Sequence, residues 1–389
     1  MSENSFNKIT LLLSTFIVFS GTLSSYYFPQ FAGLRLFEFA SFALLLVFKI
    51  KKSNKYTSFL VIFCTIIVMY ATVSVLVAFI NRVDNFHMPQ YLGVIFSLGY
   101  IYFFYNFFQD KSNLLVKVVT YTLKIHVLFF LIQYLAFYLF GTYIDFIEPI
   151  TGETQRNIGG EFDGLTSIRP SGLFGEPAAY ALAIAGFNFI LLIKNKVLDA
   201  WTLASLGTVL LSMSALGVIY TFFYIVIYMV FYNEGFKALV WLIVVSTVSV
   251  VVAIKYKVVN FIFLLDKLTG FSESVSYKYR IGDAFVELSN FSVFKQLFGV
   301  GLGNLDVKFS KGSTYSVMLI EQGVILGSMF FLLIFWLMKT FKVQYYNIWF
   351  VFMLMIGTHT FSQVQFWFLI MSICIISKNL RANNIIGIN

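Results

Sequence analysis

A chain of 389 residues that is 59% hydrophobic and 12% charged, with a mean hydropathy of +0.84, has too little polar surface to wrap a soluble core. Its net charge of +9 lies mostly in short lysine-bearing links between apolar runs, a membrane-orienting bias that asks for no nucleic-acid partner.

Apolar runs near 20 residues match the hydrocarbon thickness that a helix must cross. Inside lipid every backbone N–H and C=O must bond within the chain, so helices are the expected spanning element. The fold expected is all-α, a polytopic integral membrane protein of about 12 transmembrane helices forming one membrane domain over residues 1–389. In chain order the spans run Ile9–Phe28, Phe31–Phe48, Tyr56–Phe79, Tyr91–Phe108, Val118–Phe140 and Pro177–Ile193. They continue through Ala200–Met213, Leu216–Tyr232, Leu239–Ala253, Thr314–Trp336, Asn347–Thr358 and Phe361–Ser377. The first run is read as a span rather than a signal peptide: Lys8 is its single basic residue, the apolar stretch is too long, and no small-residue cleavage site follows.

Links on one side carry Lys8, Lys49, Lys51, Lys52, Lys55, Lys111, Lys117, Lys194, Lys196, Lys237, Lys339, Lys342, Lys378 and Arg381; short links on the other carry little beyond Arg82. The lysine-rich side is expected to be cytoplasmic, which places both termini on that side. Two long polar loops, residues 141–176 and 254–313, then face outward and are expected to be folded and functional. The first is acid-rich and the second base-rich, so they either face each other over a shared cleft or are solvated separately. Cys64 and Cys374 fall within spans and read as apolar side chains rather than a disulfide.

Charge within a span costs about 2.5–3.5 kcal/mol per central residue. Arg35 and Glu38 share a helix face in the outer third of the second span, Glu321 lies in the outer part of the tenth, and His359 closes the eleventh. Lys124 and His126 lie toward the inner side. This outward bias suggests a polar cavity open to the extracytoplasmic face; a structural Arg35–Glu38 pair is compatible with it.

The sharpest local signal is Ile168-Arg169-Pro170-Ser171-Gly172-Leu173-Phe174-Gly175-Glu176-Pro177, which leads into the sixth span. Pro177 suits a first helical turn and puts Glu176 near the N-cap. Free N–H groups at that helix start suit an anion such as phosphate, and Arg169 can fold back to grip it bidentately. An Arg169–Glu176 ion pair that stabilises the turn fits the same residues. A second signal is Ser276-Tyr277-Lys278-Tyr279-Arg280, followed by Leu297-Phe298-Gly299-Val300-Gly301-Leu302-Gly303-Asn304. Its glycines have the wrong spacing and surroundings for a dinucleotide fingerprint. They read either as a tight external turn or as a backbone approach to a ligand. Arg280 among tyrosines is either a phosphate ligand beside sugar-stacking rings or an ordinary loop cation. The sequence holds no P-loop, no metal-spaced His/Asp/Glu cluster and no Ser-His-Asp arrangement, so no cofactor or metal is expected.

Arg169–Pro177 resembles the motif that precedes a span in bacterial O-antigen and capsular polysaccharide polymerases (Wzy-type). Leu297–Asn304, with Glu321-Gln322-Gly323 downstream, looks like the large-loop region these share with O-antigen ligases. The resemblance covers roughly Leu165–Leu333. It implies a glycosyltransferase C-like fold that joins undecaprenyl-diphosphate-linked repeat units at the outer face of the inner membrane, with a chain-length regulator as a possible partner. For that reaction Arg169 and Arg280 are expected to stabilise the charge on the leaving diphosphate, and Glu176 either to orient Arg169 or to accept the hydroxyl proton, with His359 as the alternative base. Arg35, Glu38, Tyr277, Tyr279, Gly301 and Asn304 are expected to bind substrate. Ligase-like members carry a His-Asn pair where this chain has Ser313-Thr314-Tyr315-Ser316, which weakens a ligase assignment. A flippase or secondary transporter fits the same helix count, and a non-catalytic membrane scaffold fits the composition.

Overall fold

The structure, a computed structural model, describes residues 3–23, 36–47, 55–81, 88–152, 154–155, 158–162, 165–232, 283–302, 313–357 and 363–386. Its helices begin with α1 (Glu3–Thr22), α2 (Leu36–Val47), α3 (Lys55–Ile80), α4 (Met88–Phe108), α5 (Ser112–Phe140) and the single turn α6 (Glu148–Thr151). Strands β1 (Ile158–Phe162) and β2 (Leu165–Ile168) follow, then α7 (Pro177–Asn195), α8 (Ala200–Leu211) and α9 (Ala215–Ile227), which runs on into a π-turn at Tyr228–Tyr232. The last elements are α10 (Asp283–Asn290), α11 (Val293–Phe298), α12 (Thr314–Thr340), α13 (Tyr345–Leu354) and α14 (Val364–Ile386).

Among the described residues seven helices are long and apolar enough to cross a membrane: α3, α4, α5, α7, α9 with its π-turn, α12 and α14. The chain is a helical multi-pass membrane protein. The stretch Lys8–Thr22 of α1, and helices α8 and α13, are apolar but shorter. The expected ninth span, Leu239–Ala253, lies outside the described residues. The region 141–176, expected to be a long loop, holds α6 and a two-stranded antiparallel hairpin. There Phe162 pairs with Leu165, Ile158 with Ile168, and an irregularity between Ile158 and Glu161 takes up one extra residue. Gly159 and Gly160 sit at that irregularity, as a bulge favours. Both cysteines are free thiols.

The chain divides into two compact units, residues 1–118 with 275–389, and residues 119–274. In the first, α1 packs on α2 and α4 packs on α14, with α3 beside α4. Ser41 Oγ donates to Ile17 O at 2.7 Å, a polar tie between α2 and α1. Gly21 makes that crossing close: a methyl group on its Cα would lie 3.2 Å from Tyr100 Oη. In the C-terminal half of α14, Lys378 Nζ donates to Tyr105 Oη at 2.9 Å and lies 4.6 Å from the Tyr56 ring centre. The neighbouring Asn379 Nδ2 donates to Gln109 O at 2.9 Å.

In the second unit α7 is almost wholly buried and packs on α8 and α9. Tyr180 Oη and Thr208 Oγ1 share a 2.6 Å hydrogen bond, and Ser205 Oγ donates to Asn188 Oδ1 at 2.9 Å. Asp199 caps α8, its Oδ1 accepting from Thr202 N at 2.7 Å. Asp199→Ala is expected to lower stability by about 1 kcal/mol, with Asp199→Asn near wild type, read as thermal unfolding in detergent.

Candidate functional site

The Arg169–Pro177 turn belongs to the second unit, where hydrogen bonds account for its shape. Gln133, buried in the last third of α5, accepts from Ser171 N at 2.8 Å and Gly172 N at 3.0 Å through one oxygen, Oε1. Its Nε2 donates to Tyr143 Oη (2.9 Å), Ile144 O (2.7 Å) and Gln155 Oε1 (2.8 Å). Gln155 is buried as well, and its Nε2 donates to Gly172 O at 2.7 Å and Phe174 O at 2.9 Å. Tyr143 Oη donates to Gln155 Oε1 at 2.6 Å. Asp145 completes the set: its Oδ2 accepts from Gln155 N, and its Oδ1 accepts from Ile147 N and Glu148 N. Two glutamines thus hold both the N–H and the C=O groups of one turn, which satisfies backbone that burial would otherwise leave costly.

The turn closes on itself through Phe174 N to Ser171 O at 3.0 Å and Ser171 Oγ to Phe174 O at 2.7 Å. Gly172 has φ +56°, and a methyl group there would lie 3.2 Å from Phe130 N, so only glycine lets the turn lie flat on α5. The Phe174 ring is buried 4.9 Å from His126, which also stacks on Phe187 at 5.9 Å. Arg169 and Glu176 flank this clamped turn, both partly exposed. Glu176 is the N-cap of α7 in extended conformation and makes no side-chain capping bond; Pro177 opens the helix. The turn therefore presents a guanidinium, a carboxylate and a helix N-terminus from one rigid support, an arrangement that can hold an anion.

The second motif lies in the first unit and has a different task from the one expected. Helix α12 breaks at Gly323, which has φ +66° and ψ −175°. Such a break frees carbonyls of the preceding turn. Val300 N donates to Ile320 O at 3.0 Å and Gly301 N to Glu321 O at 2.8 Å, while Asn81 Nδ2 of α3 donates to Gly299 O at 3.1 Å. A methyl group on Gly301 would lie 2.5 Å from Ala78 Cβ. Gly301, expected to offer its backbone to substrate, has its N–H engaged by α12 and its Cα against α3. Val300 also joins Ala284, Leu288, Phe291 and Ile320 in a small apolar cluster.

Glu38 is buried on α2, one turn before Ser41, within electrostatic reach of Tyr100. Glu321 is buried at the break, within electrostatic reach of Tyr70. Lys124 Nζ lies 4.7 Å from the Trp201 ring centre. Arg35, Tyr277, Tyr279, Arg280, Asn304 and His359 lie outside the described residues. Sequence reasoning missed Gln133, Gln155 and Asp145. An amide in the middle of an apolar span was the readable signal for Gln133. No group of three or more His, Cys, Asp and Glu able to hold a metal occurs among the described residues. No protein-family model, characterised protein or solved structure matches the chain.

Proposed function

We propose that this chain polymerises undecaprenyl-diphosphate-linked oligosaccharide repeat units into O-antigen or capsular polysaccharide at the outer face of the bacterial inner membrane. The observation that carries the reading is the Arg169–Pro177 turn of a multi-pass helical protein, clamped by Gln133 and Gln155 between Arg169 at one end and Glu176, the N-cap of α7, at the other. The resemblance of this turn to the polymerase motif supplies the substrate class.

In the reaction, a hydroxyl of one lipid-linked repeat attacks the anomeric carbon of the growing glycan. The new C–O bond forms as the bond to the diphosphate breaks, and the lipid diphosphate leaves with the electron pair. The leaving group is already activated, so the step consumes no nucleotide. Arg169 and Arg280 neutralise the departing charge, assisted by the N–H groups opening α7. Glu176 or His359 takes the hydroxyl proton. Tyr277 and Tyr279 stack on sugar, and Arg35, Glu38 and Asn304 contribute to substrate binding.

Arg169→Ala and Arg280→Ala are each expected to slow polymerisation by about 10²–10³, leaving surface glycan one unit long. The Lys variants retain charge without the bidentate fork and are expected to fall between. Glycan length on a gel, at matched protein abundance, is the measurement; normal-length polymer from both Ala variants sinks the reading. Accumulated lipid-linked polymer in a null strain points instead to a ligase, and single units stranded on the cytoplasmic leaflet point to a flippase.

A further inference from the structure

We infer that Gln322, at the break in α12, binds a hydroxyl group of a saccharide. Gln322 has 0% of its surface exposed, and neither its Nε2 nor its Oε1 has a hydrogen-bond partner. Its neighbours in the break do not share this state, since the Ile320 and Glu321 carbonyls accept from Val300 N and Gly301 N. A buried amide with both ends unsatisfied destabilises a fold, and a methionine of similar length fits an apolar span without that penalty. A residue that breaks the local rule without compensation marks a functional position.

The chemistry of the amide selects the ligand. Gln322 offers one acceptor and a donor pair side by side. A metal cation satisfies Oε1 and opposes Nε2, whereas a phosphate oxygen does the reverse. A hydroxyl, which both donates and accepts, satisfies the two together. The Gly299–Gly301 strip covers the break, held by its two backbone bonds and Asn81, and it has to yield for a ligand to enter. That the hydroxyl belongs to a sugar rests on the polymerase reading.

The test uses the purified full chain in detergent, with Gln322→Met beside wild type. The probe is repeat-unit oligosaccharide released from its lipid by mild acid. Gln322→Met is expected to melt about 2–4 °C above wild type without the probe, because two unsatisfied groups are removed. Wild type is expected to gain melting temperature as probe concentration rises, and the variant to show no such gain. A variant that melts below wild type, or that responds to the probe as wild type does, overturns the proposal. If Arg169→Ala and Arg280→Ala both leave polymer length normal while Gln322→Met loses the probe response, the saccharide site stands and the polymerase reading falls. If Arg169→Ala shortens the polymer while Gln322→Met responds normally, the site alone falls.

Discussion

Gln133→Leu is expected to destabilise the second unit by about 3–5 kcal/mol, among the larger effects of any single substitution outside glycine positions. The substitution keeps the volume and removes every hydrogen bond at once. Ser171 N, Gly172 N and Ile144 O are left without their buried partner, and each such orphan costs about 1–3 kcal/mol. Gln133→Glu separates the two halves of the amide: its oxygens still accept from Ser171 N and Gly172 N but cannot donate to Ile144 O. It is expected to lie between Leu and wild type. Unfolding in detergent, followed by near-UV circular dichroism, orders the three proteins. A Leu variant within about 1 kcal/mol of wild type rules out the clamp as the turn's main support.

Gly323→Ala is expected to cost about 3–5 kcal/mol, because its backbone occupies a region essentially closed to L side chains and the added methyl meets Leu297 O at 2.6 Å. Gly299→Ala is expected to be as severe, since the new carbon would run into the Glu321 backbone. Gly207→Ala is the control. It lies within α8 with nothing inside 4 Å of the added carbon, so it is expected to be neutral or to stabilise slightly. Parallel thermal unfolding of the three variants tests whether the closed strip, rather than glycine content as such, holds the break. Equal melting temperatures for Gly323→Ala and Gly207→Ala contradict it.

Sequence alone was enough for the helices that carry continuous apolar runs, because lipid forces the backbone of such a run to bond internally. It also located the start of α7, where Pro177 and Glu176 occupy the first-turn and N-cap positions expected of them. What it did not give are pairings between residues far apart in the chain. Gln133 and Ser171 are 38 residues apart, and their bond depends on how α5 and the turn meet in space. Gly301 read as an approach to a ligand because nothing local distinguishes that from an approach to Ala78 and Glu321. The hairpin is a different kind of miss. Asp163-Gly164 between two short runs is a strong two-residue turn signal, and the Phe162–Leu165 pairing agrees with it.

Between two apolar helices in a lipid environment, axial position is weakly determined, since one ring of methyl groups meets the next about as well after a slide of one turn. Lys378 and Asn379 remove that freedom for α14. Their bonds to Tyr105 Oη and Gln109 O act as two adjacent pins, and a displacement of one turn along α4 would shear both together. Depth in the bundle is thereby set by two adjacent side chains in the C-terminal half of the helix.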